Sequence, residues 1–170
     1  MAIYMQVDGI TGSVTAQGYE GWIELSSFQW GVSRSIGTAA RGAAGRESAS
    51  PTISEIAVTK RGDALSVGLL RYALGGALDK KFTISFTTTT ARPIEFLRYQ
   101  LENVGLSSFS VRSDGDIPVE SLSLNFTKIT ETLTPLEPGS GSPQTVGYDL
   151  NFDGVLNPLG EGDRGRSRVR

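Results

Sequence analysis

The chain has 170 residues, 38% of them apolar, which suits one domain able to bury roughly 70% of its unfolded surface. It contains no cysteine and no histidine, which excludes disulfides, thiolate metal sites, cysteine nucleophiles and the usual imidazole base or zinc ligand. The formal net charge of −2 predicts no broad attraction to nucleic acid or an anionic membrane, and no apolar run approaches the ~20 residues of a membrane span.

The opening "MAIYMQVDG" lacks a basic segment followed by an apolar core, so synthesis in the cytoplasm without a secretory signal is expected. Ile3, Met5 and Val7 share one strand face, and Asp8-Gly9 offers a turn. The stretch "WIELSSFQWGV", residues 22–32, changes parity: Ile23 and Leu25 lie on one face, whereas Phe28, Trp30 and Val32 lie on the other. A corner at Ser26-Ser27 accounts for this, with Phe28 and Trp30 largely buried and Ile23 and Leu25 against a different layer. Residues 33–51, "SRSIGTAARGAAGRESASP", read as a long extended loop nearly free of large apolar groups. Arg34, Arg41 and Arg46 stand there among small residues, suited to bidentate pairing with carboxylates, with Glu47 as a return contact. These four are the candidate residues for an interface between subunits or rings.

A helix follows in "DALSVGLLRYALGGA". Asp63 or Ser66 caps it, Leu65, Leu69, Tyr72 and Ala73 form the packing stripe, Leu70 and Leu74 broaden it, and Gly75-Gly76 stop it. Phe82, Ile84 and Phe86 give another strand before "TTTT". Segments 94–101 and 108–112 read as two strands separated by Asn103 to Gly105, and the parity switch recurs where Ile94 and Phe96 give way to Leu97, Tyr99 and Leu101. It recurs again where Leu122, Leu124 and Phe126 are followed by Ile129 and Leu133. Residues 134–144 are a Pro/Gly/Ser connector, and Val146, Tyr148, Leu150 and Phe152 complete a last strand. Strands at this density predict a mainly β fold with one short α-helix, a sandwich or barrel. The corners suggest a closed, strongly coiled barrel, or outer faces that are covered too, by a helix or a neighbouring subunit, and both can hold. Residues 1–157 form the single domain, and 158–170, with four arginines, a basic tail expected to be disordered.

Several motifs are better explained as structure. "DLNFDG", residues 149–154, matches the first half of a calcium loop, but loop position 12 is Gly160, with Glu161 one place late. "RGD", residues 61–63, sits where a strand must turn into the helix, so its Asp reads as a helix-start residue. Asn125-Phe126-Thr127 fits a glycosylation sequon, yet Phe126 belongs to a buried face. "GAAGRES" lacks the lysine and spacing of a phosphate-binding loop. Carboxylate pairs could be drawn from Glu24, Glu55, Glu95, Glu102, Glu120 and Glu131, but no spacing nominates one, and a Ser–Lys dyad is equally unspecific. No catalytic residue, cofactor site or metal site is nominated, and the protein is not expected to be an enzyme.

Four segments in order carry a family resemblance. "MQVDGITG" with "GYEGWIELSSFQWGV", then "ISEIAVTKRGDALSVGLLRYALGG", "IPVESLSLNFTKI" and "TVGYDLNFD" resemble the hemolysin-coregulated protein family, Hcp, the tube subunit of bacterial type VI secretion. The resemblance runs to about residue 157. It departs at Val67, where the family often has proline, and around Tyr19-Glu20, where a histidine is often seen. It implies a barrel-like pair of sheets, and hexameric rings that stack into a hollow tube inside a contractile sheath, with a spike at the tip and effectors in the lumen. Partners would then be further copies of the chain, sheath and spike proteins and effectors, with no nucleic acid and no membrane insertion, and the protein would be exported by the secretion machine. The tail-tube proteins of contractile phages share this architecture and are the alternative, as is a cargo-binding adaptor or secreted effector using the same ring.

Overall fold

A computed structural model describes residues 1–37, 49–137, 139–152 and 154–156. The strands in the first half are β1 (Ala2–Val7), β2 (Ile23–Leu25), β3 (Ser27–Gln29), β4 (Val32–Ser33), β5 (Thr52–Ile53) and β6 (Ile56–Arg61). Helix α1 (Ser66–Gly75) follows, and then β7 (Lys80–Thr87), β8 (Glu95–Arg112), β9 (Val119–Asn125), β10 (Lys128–Leu133), β11 (Gln144–Asp149) and β12 (Gly154–Leu156).

One antiparallel layer runs β12-β11-β10-β8-β7-β1-β2. The C-terminal half of β8 leaves it and pairs with β9 from Gly105 to Arg112, and β9-β6-β3 complete the second layer. The inner faces meet in one core of Met5, Ile23, Ile56, Phe82, Leu101 and Leu124 with their neighbours. The chain is therefore mainly β with one helix, but the sheet is not closed into the expected barrel. β2 and β3 are three residues each, joined by a corner, and each has one strand neighbour. A chain that turns after three residues cannot carry the continuous ladder that closure needs.

Two of the parity switches are passages between layers, and the one at Phe96-Leu97 is a bulge within a layer. At Ser26 the chain moves from β2 to β3, and the bend turns both residue sets toward the same core rather than toward different layers. Ile23 and Leu25 are buried, while the Phe28 ring stacks on Tyr99 at 5.0 Å and meets Phe86 edge-on at 5.1 Å. Phe28, in the edge strand β3, and Trp30 just past it are half-buried rather than fully so, and Val32, in the two-stranded β4–β5 pair, is exposed. The two strands expected over 94–112 are one strand of 18 residues. Asn103, at φ +53°, lets it swing between layers without ending, and its side-chain amide donates to Thr127 Oγ1 at 2.7 Å. A register shift between Phe86 and Thr87 puts a bulge opposite, where Phe96 gives way to Leu97. The third passage is the Phe126-Thr127 link from β9 to β10.

Helix α1 buries Leu69 and Tyr72 and half-buries Leu65 and Ala73, but Leu70 and Leu74 are exposed. At 100° per residue, positions 65, 69, 72 and 73 share one face while 70 and 74 rotate off it, and β8 covers only that face. Leu65 occupies the N-cap position. Asp63 and Ser66 instead exchange bonds across it, with Leu65 N–H to Asp63 Oδ1 at 3.0 Å and Asp63 N–H to Ser66 Oγ at 3.1 Å. Gly76 ends the helix at φ −69°, so it is needed for space: a Cβ there would collide with the Tyr72 ring. The last predicted stripe is also revised. β11 stops at Asp149, and Val146, Leu150 and Phe152 are exposed, because the second layer does not extend over that end of the first.

Candidate functional site

The uncovered end of the large sheet forms the candidate site. Thr52-Ile53 pairs with Val32-Ser33, so the base of the long loop is a β-hairpin, with Ala49 N–H donating to Ser35 O at 3.1 Å beyond it. Between this hairpin and β10–β12 lies an apolar groove of about 440 Å³. Val32, Arg34 and Ile53 line it from the hairpin side, and Ile129, Glu131, Val146 and Val155 from the sheet side. These are alternate residues of paired strands: Ile129 stands opposite Tyr148, and Glu131 opposite both Val146 and Tyr99.

Trp30 also lines the groove, and its indole Nε1 is buried with no acceptor among the described residues. Tyr99 packs behind it, ring centroids 5.7 Å apart. Burial, and then the adjacent Glu131 carboxylate, which the Tyr99 hydroxyl hydrogen-bonds, hold that phenol well above its ordinary pKa. The groove is thus an apolar slot with one carboxylate, one guanidinium and one unsatisfied donor.

Of the four predicted interface residues, Arg34 is exposed and stands on this groove. Arg41, Arg46 and Glu47 lie outside the described residues. Five of the six carboxylates considered above are held by neighbouring donors. Glu95 accepts from Ser85, Tyr19 and Arg98, and Glu102 pairs with Lys128 at 3.2 Å. Glu55 accepts from Ser107 and Asn125, and Glu131 from Tyr99. Glu120 receives Lys60 at 3.0 Å. Asp149 is buried and accepts the Asn151 N–H at 2.9 Å in a turn. Asp153, Gly160 and Glu161 lie outside the described residues. Among the described residues no three acidic side chains gather as a metal would require.

Sequence reasoning missed Lys60, which is 1% exposed. Its ammonium donates to Glu120 Oε2 at 3.0 Å, Asp63 Oδ1 at 2.9 Å and Arg61 O at 2.7 Å. The signal was present: Lys60 continues the inward alternation of Ile56 and Val58, and Glu120 that of Leu122 and Leu124. Asp63 of "RGD" is therefore tied into the body of the fold as well as into the helix start.

A family model described as "Type VI secretion system effector, Hcp" matches residues 4–132. The chain belongs to the Hcp family. Three of the four segments that carried the resemblance fall inside that span, and "TVGYDLNFD" lies beyond it. A solved type six secretion system protein shares the Hcp fold with it at a TM-score of 0.80 and 23% identity, covering 91% of this chain and 98% of the other. Hcp1 from Salmonella typhimurium superposes at 0.69 with 19% identity over 88% and 95% of the two chains. A type VI secretion system effector from Yersinia pestis does so at 0.69 with 18% identity over 86% and 98%. A comparison with curated proteins finds no match. Among the described residues of this Hcp chain, no helix is long and apolar enough to cross a membrane.

Proposed function

We propose that this Hcp protein is a structural tube subunit of a bacterial type VI secretion machine. Six copies close into a ring, rings stack into a hollow tube, and the tube works inside a contractile sheath behind a spike and can carry effector proteins. The protein is made in the cytoplasm and leaves through the machine it helps to build, and its role is mechanical rather than enzymatic. The observation that carries this reading is the hairpin at Val32–Ile53. Its base leaves the body of the fold with Val32 52% and Ile36 47% exposed, beside a groove whose walls are apolar. Ordering a segment costs roughly 1–2 kcal/mol per residue, and exposed apolar side chains such as these gain nothing toward it in a lone chain. A neighbouring subunit offsets it, and Arg34, Arg41, Arg46 and Glu47 are the charged contacts proposed for that junction. The basic tail, 158–170, lies outside the ring-forming domain in this reading.

The test is the native mass of the particle followed by negative-stain imaging. Six copies of an 18.1 kDa chain in annular particles is the expected result. A monomer across micromolar concentrations rejects the reading.

A further inference from the structure

We infer that the apolar groove between the β4–β5 hairpin and β10–β12 seats a second copy of this chain, and that the part it receives is the outer face of α1. The inference rests on the ring reading above and names the two surfaces that would meet.

The helix supplies the first half of the argument. A helix lying on a protein surface is apolar on the buried side and polar outside. On α1 the outer side is apolar as well: Val67 is 65% exposed, Leu70 41% and Leu74 80%. Positions 67, 70 and 74 follow the i, i+3, i+7 spacing of a single face. Gly68 and Gly75, on a neighbouring side of the helix, have no described atom within 4 Å of where a Cβ would stand, so another surface can come close to the backbone there. An apolar ridge of three large side chains is a contact surface that has not yet met its partner.

The groove supplies the second half. Its walls are the continuation of the core past the edge of the covering layer, and the Trp30 indole N–H there lacks an acceptor among the described residues. The last turn of α1 carries no basic side chain, so its terminal carbonyls are acceptors of the kind that this donor needs. The charges match too. The groove holds one guanidinium, Arg34, and one carboxylate, Glu131, while the ridge is bordered by Arg71 and Asp79. Asp79 facing Arg34 and Arg71 facing Glu131, which already accepts from Tyr99, sets opposite charges together, and the reverse orientation sets like charges together. Ridge and groove share no residue, so the contact is head-to-tail, the kind that closes into a ring when the rotation permits.

The test uses Arg34 and Asp79, both exposed, so that their reversal leaves the fold intact, as circular dichroism would check. Native mass is measured for the wild type, Arg34→Asp, Asp79→Arg and the double swap. The quenching of Trp30 by acrylamide is followed in a Trp22→Phe background. Each single reversal is expected to raise the concentration needed for ring formation at least tenfold, and the double swap to restore it. Assembly is expected to reduce Trp30 quenching several-fold, and Leu74→Asp to abolish that protection. Single variants that assemble like the wild type overturn the inference and leave the ring reading standing. So does a double swap that rescues nothing. Trp30 already protected in the monomer shows that the groove is filled by the chain itself and also overturns it. A wild-type chain that never leaves the monomer overturns both.

Discussion

Lys60 Nζ lies 3.0 Å from Glu120 Oε2, and both side chains are withdrawn from solvent between neighbouring strands β6 and β9. The same ammonium reaches Asp63 and the Arg61 carbonyl, so a single cation joins two strands to the turn that starts the helix. Burying an ion pair gains little over a well-packed apolar pair, but removing one partner strands the other charge in the interior. Lys60→Met is therefore expected to cost about 3–5 kcal/mol, and the double variant Lys60→Met with Glu120→Leu much less. Guanidinium melts of the two variants check this, and a single variant within about 1 kcal/mol of wild type would refute the role given to the pair.

Phe28 and Trp30 are held by the corner at Ser26. Since both are half-buried at an edge strand, Trp30→Ala is expected to cost about 2 kcal/mol in the monomer, below the roughly 3–5 kcal/mol of a fully buried tryptophan. Phe28→Ala is expected to cost at least as much, because its ring stacks on Tyr99 and meets Phe86. Equal melting midpoints for wild type and both variants would show that the corner does not set the packing.

The folded-state pKa of Tyr99 is raised, so the folded chain holds the phenol proton more tightly than the unfolded chain does. Stability from this group is full below the ordinary phenol pKa of about 10 and is lost as pH rises above it. Tyr19 and Tyr72 are shifted the same way, each chiefly by burial. The wild-type melting temperature is expected to fall from about pH 10 upward, and that of Tyr99→Phe to fall less steeply. Thermal melts across pH 8 to 11.5 read this out, and parallel curves for the two proteins would remove Tyr99 from the account.

Much of the fold was legible because burial here follows period-two alternation. Ile3-Met5-Val7, Phe82-Ile84-Phe86 and Leu122-Leu124 all face the core. The parity switches at residues 26, 96–97 and 126–127 correctly marked a corner, a bulge and a change of layer. What alternation cannot show is whether anything covers a face. Val146, Leu150 and Phe152 continue an apolar pattern onto an end of the sheet that the second layer does not reach. The same ignorance of cover made Leu70 and Leu74 read as core. Of the candidate site, Arg34 was named from the sequence, whereas the groove arises from strands distant in sequence.

Asn103 explains why one long strand read as two. Its left-handed backbone is a conformation that turn-forming residues adopt, and Asn103 adopts it inside β8. Asn103→Gly relieves that conformation but loses the 2.7 Å bond to Thr127, and is expected to stay within about 1 kcal/mol of wild type. Asn103→Val keeps the strain, adds β-branching and loses the bond, and is expected to cost about 2–3 kcal/mol. Urea denaturation separates the two. A valine variant as stable as the glycine variant would mean that β8 passes between layers without using this residue.

The last prediction concerns the segment above the β4–β5 base. Deleting residues 38–47 and joining the ends with a short linker leaves β4 and β5 in place. The hairpin at Val32–Ile53 and the core strands on either side of it then keep their partners. The body is expected to fold with a melting midpoint close to wild type, since the deletion removes none of the core residues Met5, Ile56, Phe82 or Leu124. Ring stacking or tube growth is expected to weaken, because the deletion removes Arg41, Arg46 and Glu47 while Arg34 remains on the groove. Pairing of guanidinium with carboxylate is shorter and stronger than a neutral hydrogen bond, so losing two arginines and a glutamate at a junction should be visible. Negative-stain lengths of assembled particles, compared with the melting midpoint of the same preparation, separate a folding defect from an assembly defect. If rings and tubes form as in the parent, the segment is a solvated connector and the junction must be sought elsewhere on the subunit.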